Sequence, residues 1–180
     1  MSPKPFKVAG IDGCRAGWCV AFDVENRVQL KVFPSLEALD QEIGPFDRYL
    51  IDMPMGLSDT DCLREIDTLA KGYLAPKKRA SVFHTPCRAA VYAPSYESAK
   101  ANNIQLLGKS ISIQAWNICP KIRALDEFLQ EKKHLRHSFY ECHPEIAFKM
   151  LNAGKDLIES KKSAAGQTER LAILQKTIQS

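Results

Sequence analysis

Three acidic residues each follow a short apolar stretch: Asp12 after Val8-Ala9-Gly10-Ile11, Asp52 after Tyr49-Leu50-Ile51, and Glu141 at the head of Glu141-Cys142-His143-Pro144-Glu145. Bounded apolar runs of this length read as buried strands. In an open α/β sheet, ligands bind beyond the carboxyl ends of the parallel strands. Carboxylates at three such ends would converge on one crevice and suit a divalent cation. Asp12, Asp52 and Glu141 are therefore the candidate metal ligands and catalytic acids. A two-metal site needs several acids, because its ions sit ~4 Å apart and share oxygens. His143 stands two residues from Glu141 on an extended segment, so the two share a face, where the imidazole can transfer a proton or bind metal. The plainer readings stay open: Asp12-Gly13 also suits a turn, and Asp52 a cap.

Basic residues form a second set. Arg64, Asp67 and Lys71 share one helical face, an arrangement that is ordinarily a solvated ion-pair face worth about 0.2–0.5 kcal/mol per pair. Lys77, Lys78, Arg79 and Arg88 fall in a proline-bearing loop, and Lys161-Lys162-Ser163 precedes a helix. Such loops suit phosphate groups, although a lysine pair is more commonly a solvated surface run.

These groups must be positioned by the elements between them. Residues 7–12, 17–24 and 27–33 read as an antiparallel meander with a turn at Glu25-Asn26. Ser35 is a good helix N-cap, with Leu36, Leu39 and Ile43 on one face and Gly44-Pro45 as the stop. A fourth strand, 48–52, is reached by a helical crossover and so is expected parallel to the first. Residues 58–131 read as a helical insertion, with Pro120 kinking its last helix or marking that helix's first turn. A fifth strand, 138–142, is followed by a helix from Pro144 bearing Ala147, Met150 and Leu151 on one side, and by a last helix bearing Leu171, Leu174 and Ile178. The expected fold is an α/β sheet of five strands, ordered 3-2-1-4-5 and flanked by helices, in one domain over residues 1–180.

Composition excludes several classes. The chain has 180 residues, 45% of them hydrophobic, and a net charge of +4, which permits an anionic partner without demanding one. Its 6 cysteines are scattered with no C-x-x-C pair, which argues against a disulfide framework or structural zinc. No apolar run approaches the roughly 20 residues of a membrane helix, and the first residues lack a signal-peptide core. A cytoplasmic protein with no membrane partner is expected.

The motifs in their order are more specific than any one of them. Gly10-Ile11-Asp12-Gly13-Cys14-Arg15-Ala16-Gly17-Trp18, Ile51-Asp52-Met53-Pro54-Met55-Gly56-Leu57, Arg64-x-x-Asp67, Ser81-Val82-Phe83 with Pro86 and Arg88, Gln114 with Pro120-Lys121-Ile122, the Glu141 to Glu145 run, and Ser160-Lys161-Lys162-Ser163 with Gly166 resemble the domain of unknown function 429 family. That family is regarded as a predicted ribonuclease H-like nuclease family. The resemblance implies a ribonuclease H-like fold, Mg²⁺ or Mn²⁺ held by Asp12, Asp52 and Glu141, His143 as a further catalytic residue, and a nucleic acid or other phosphate-bearing substrate. Arg15, Arg64, Arg88, Lys121, Lys161 and Lys162 are the phosphate- or substrate-binding groups it implies. Lys71 stands where relatives tend to have Arg, which loses bidentate geometry. Relatives usually continue into a helix with an Asp-Asp-x-x-Asp-Ala type motif, so the C-terminal part of the family domain is expected to be absent here. An actin-like nucleotide-binding phosphotransferase and a non-catalytic nucleic-acid or protein-binding module are the competing readings.

Overall fold

Alternation of apolar residues builds the sheet. In the computed structural model, which describes residues 6–25, 27–61 and 63–179, β1 (Val8–Cys14), β2 (Gly17–Val24) and β3 (Arg27–Phe33) form an antiparallel meander. Helix α1 (Leu36–Ile43) starts at Ser35, whose side-chain oxygen accepts the Ala38 N–H at 3.2 Å. The chain then enters β4 (Arg48–Ile51), parallel to β1, and much later β5 (Phe139–Glu141), parallel to β4. The order is β3-β2-β1-β4-β5, as the crossover argument requires. One local expectation is corrected. Asp12 and Gly13 are not a turn: they pair with Cys19 and Trp18 inside β1, and the turn is the two-residue loop Arg15-Ala16. The residue Asn26, expected in the second turn, lies outside the described residues.

The two faces of the sheet differ. Ala9, Ile11, Val20, Phe22, Tyr49, Ile51 and Phe139 are buried in a cluster with Leu36 and Leu39 of α1. Helix α5 (Ile113–Glu131) adds Ile122, Leu125, Phe128 and Leu129 to the same cluster. Tyr49 stacks on Phe139 with ring centroids 4.3 Å apart, and Phe128 meets Phe139 edge-on at 5.9 Å. Pro120 lies inside α5 rather than in its first turn, which is capped by Ser112 accepting the Ala115 N–H at 3.1 Å. On the opposite face, Val28 and Leu30 of β3 are each 74% exposed. A smaller cluster joins α3 (Arg88–Val91) to α4 (Tyr96–Leu107) through Cys87, Ala90, Ala99, Leu107 and Ile111. Buried Asn103 serves it as a polar pin, accepting the Cys87 N–H at 2.9 Å and donating to the Lys109 carbonyl at 2.7 Å.

These elements belong to the first of two compact units, Met1–Leu63 with Thr85–Cys142; the second is Arg64–His84 with His143–Ser180. The second contains α2 (Glu65–Tyr73), a 3-10 turn (Pro76–Ser81), α6 (Pro144–Leu151) and α7 (Ala164–Gln179). Buried Glu145 ties three of these together, accepting from Arg170 of α7 at 2.7 Å and pairing with Lys78 of the 3-10 turn at 3.3 Å. Leu74, Val82, Leu157 and Ile173 are its buried apolar residues. Leu171 and Leu174 are exposed instead, as are Met150 and Leu151. The Ile178 side chain lies outside the described residues. No helix among the described residues is long and apolar enough to cross a membrane.

Candidate functional site

Strand register decides which of the candidate groups meet. Ile11 of β1 is paired with Ile51 of β4, and Ile51 with Glu141 of β5. One residue further on, the Asp52 N–H donates to the Ile11 carbonyl at 2.9 Å and the Cys142 N–H to the Ile51 carbonyl at 2.8 Å. Because successive side chains alternate between faces, Asp12, Asp52 and Cys142 fall on one face while Ile11, Ile51 and Glu141 fall on the other. Cys19 is paired with Asp12 from the β2 side. The face opposite Ile11 and Ile51 therefore carries a row, Cys19, Asp12, Asp52, Cys142, across four strands. The Cys142 thiol is pushed above its ordinary pKa by burial and then by the charge of Asp52, as neighbours in that row must be.

The glycines around Asp12 serve packing. A Cβ on Gly13 would lie 3.3 Å from Met53 Cε and 3.7 Å from Lys121 Cγ. Gly17 has φ +136°, and a Cβ there would stand 2.0 Å from the Phe33 carbonyl oxygen, so only glycine lets β2 begin against the end of β3. Lys121 of α5 is engaged at the same hairpin: its Nζ donates to the Gly17 carbonyl at 2.7 Å and sits 4.7 Å from the centre of the Trp18 ring. Arg15, at the loop tip, is exposed.

Glu141 reaches elsewhere. Its Oε2 accepts the Met55 N–H at 3.1 Å, clasping the loop that leaves Asp52. Its sheet position is level with Ile51, one residue out of step with Asp52, so the register does not bring Glu141 onto the face of Asp12 and Asp52. His143 is the residue preceding α6 in the second unit, where Nε2 lies 3.2 Å from the Ser81 carbonyl oxygen and buried Nδ1 has no partner.

The remaining cations divide between the units. Arg88, in the first, pairs with Asp59 at 2.8 Å through Nε and with Asp126 through Nη1. Tyr92 and Gln130 donate to the same Asp126 oxygen at 2.8 and 2.7 Å. Burial, followed by the hydrogen bond to Asp126, pushes the Tyr92 hydroxyl up to about 12. Arg64, in the second unit, pairs with Asp67 at 3.3 Å with side chains only 9% and 5% exposed. The solvated face expected there is thus corrected to a buried ion pair. Lys161 and Lys162 are exposed on a turn fixed by Ser163, whose Oγ donates to the Ser160 carbonyl at 2.9 Å and accepts the Gly166 N–H at 3.0 Å.

A family model described as "Protein of unknown function (DUF429)" matches residues 10–180. The chain belongs to this family. No curated protein and no solved structure shows a significant match to it. The DUF429 match spans all of the site residues just described, from Asp12 to Lys162.

Whether the DUF429 residues suit a cation is a question of spacing. Among the described residues, no group of three or more His, Cys, Asp or Glu is placed to hold a metal ion. The sheet explains this: neighbouring strands lie about 4.8 Å apart, so a four-strand row spans about 14 Å and only adjacent members can share an ion. Asp12 and Asp52 are the adjacent carboxylate pair. Mg²⁺ keeps several waters and is commonly bound by one or two carboxylates together with substrate phosphates, so this pair fits that mode of binding and no all-protein cage. Cys19 and Cys142, which flank the pair, escape notice in the sequence because their relevance depends on register; the alternation of side chains about Asp12 and Glu141 is the signal that could have found them.

Proposed function

We propose that the chain is a metal-dependent phosphodiester hydrolase of the ribonuclease H-like class, acting on nucleic acid or another phosphate-bearing substrate, with Asp12 and Asp52 as the carboxylates that hold Mg²⁺ or Mn²⁺. The observation that carries the reading is their side-by-side placement past the paired Ile11 and Ile51. The chain runs from β1 to β2 and β3 on one side of β1 and places β4 and β5 on the other. The β1/β4 boundary is therefore the switch point at which open sheets bind ligands. A divalent cation held there would offset charge developing on a phosphoryl group as water attacks.

The chain's own groups then have separable tasks. Asp12 and Asp52 carry the charge, and Glu141 positions the loop after Asp52 through the Met55 N–H. Of the three candidate phosphate-binding residues of the first unit, Arg15 is the one with no side-chain hydrogen bond or ion pair among the described residues, whereas Lys121 is held by Gly17 and Arg88 by Asp59 and Asp126. The described cysteines are free thiols, consistent with a reducing, cytoplasmic setting.

Calorimetric titration with Mn²⁺ tests the reading on wild type, Asp12→Asn and Asp52→Asn, alongside cleavage of labelled RNA, DNA and hybrid duplexes. Saturable binding lost in both variants, with cation-dependent cleavage, is expected. Undiminished affinity in both variants would overturn the metal site. Saturable binding of ATP with Mg²⁺ and no response to any oligonucleotide would overturn the substrate class in favour of a nucleotide-binding phosphotransferase.

A further inference from the structure

The first unit contains a cleft of about 330 Å³ that none of Asp12, Asp52 and Glu141 lines. Its size falls at the lower end of small-molecule sites. Its apolar lining is Leu125 and Leu129 of α5, 1% and 8% exposed, with half-buried Pro54 and Met55 from the loop after β4. Its polar lining, besides Asp126, is Arg88, Gln130, Arg136 and His137.

Asp126, the one acid in the lining, is engaged through one of its two oxygens. A single oxygen, Oδ2, receives Arg88 Nη1, Tyr92 Oη at 2.8 Å and Gln130 Nε2 at 2.7 Å. Its charge therefore holds Arg88 and Gln130 in place. Arg88 is held from a second side by Asp59, which leaves its Nη2 without an acceptor among the described residues. Arg136, on the segment leading into β5, is exposed and has no ion pair among the described residues. Arg136 is thus the guanidinium of the lining that no carboxylate among the described residues pairs.

We propose that this cleft binds a small molecule bearing an oxyanion, carboxylate or phosphate, on an apolar body. The fork of Arg136 and the remaining Arg88 nitrogen match the paired oxygens of either group. Pro54 and Met55, half-buried in a lining that the Leu125 and Leu129 side chains complete, take the apolar body, which distinguishes this site from a surface that binds phosphate alone.

Benzoate, phenyl phosphate and inorganic phosphate are the probes, titrated by calorimetry into the full chain in EDTA. The absence of divalent cation and the use of Asp52→Asn as a second background keep the result independent of the proposed hydrolase. Saturable binding of benzoate or phenyl phosphate, tighter than inorganic phosphate and weakened about tenfold or more in Arg136→Ala, is expected. Which of the two aromatic probes binds tighter assigns the oxyanion. No saturable binding of either, or equal affinity in wild type and Arg136→Ala, would overturn the site. Arg136 is exposed, so its loss leaves the fold intact, and an unchanged melting temperature without probe verifies that.

Discussion

The backbone N–H of Asp52 donates to the carbonyl of Ile11 at 2.9 Å, carrying the β1–β4 ladder one residue beyond the last residue of β4. That bond sets Asp52 level with Asp12 at the carboxyl ends of two central strands. The Cys142 N–H repeats the arrangement on Ile51 at 2.8 Å, so the edge strand contributes a thiol to the row where its acid is turned to the other face.

Asp52 should control the chemistry of Cys142. Burial and the carboxylate charge both raise the thiol pKa, so removing the charge lowers it and enlarges the thiolate fraction at a given pH. Asp52→Asn is expected to speed alkylation of Cys142 by iodoacetamide, measured peptide by peptide in mass spectrometry, with the rate at Cys119 as internal reference. Cys119 is 1% exposed and its thiol is pushed up to about 11 by burial, so it should react slowly in both proteins. A Cys142 rate that is the same or lower in the variant would contradict the shared face.

Glu141 offers a sharper division between positioning and ligation. Glu141→Ala leaves the Met55 N–H without its acceptor and should cost about 1–3 kcal/mol in denaturant unfolding. Glu141→Gln retains an acceptor oxygen and should recover most of that loss. If Glu141 acts by holding the loop, the Gln variant also keeps the Mn²⁺ affinity of wild type. A Gln variant that is stable but has lost the ion would make Glu141 a ligand.

Much of this fold was legible because short-range patterns determine it. Val28, Leu30 and Val32 alternate with polar neighbours, Ser35 caps α1, and the crossover rule places β4 beside β1; each reading needs only residues close in sequence. The pairing of Asp12 with Asp52 follows from the same rule. Glu141 was not legible in the same way, since the face it takes depends on register, and a one-residue shift exchanges the two faces. Arg64 and Asp67 show a different limit: a three-residue spacing reports a shared helical face but not whether that face is wet. Lys121 shows a third, because its acceptor on Gly17 is 104 residues away.

Glu145 should make the second unit acid-sensitive. Burial alone would raise its pKa, but the hydrogen bonds and charges of Arg170 and Lys78 outweigh it and leave the carboxyl below its ordinary value of 4.5. Asp156 is lowered as well, first by the hydrogen bond from Lys149. A carboxyl whose folded pKa is depressed contributes stability in full above its unfolded pKa and loses it as pH falls through the folded value. Protection of the α6 and α7 amides, corrected for intrinsic exchange, should therefore hold from about pH 7 to about pH 5 and decline below about pH 4.5. Glu145→Gln should lower protection at neutral pH, because Arg170 and Lys78 are left facing a neutral amide, and should flatten the decline in acid. Protection in the variant that still falls as steeply as in wild type would assign the acid sensitivity to other carboxylates, Asp156 first among them.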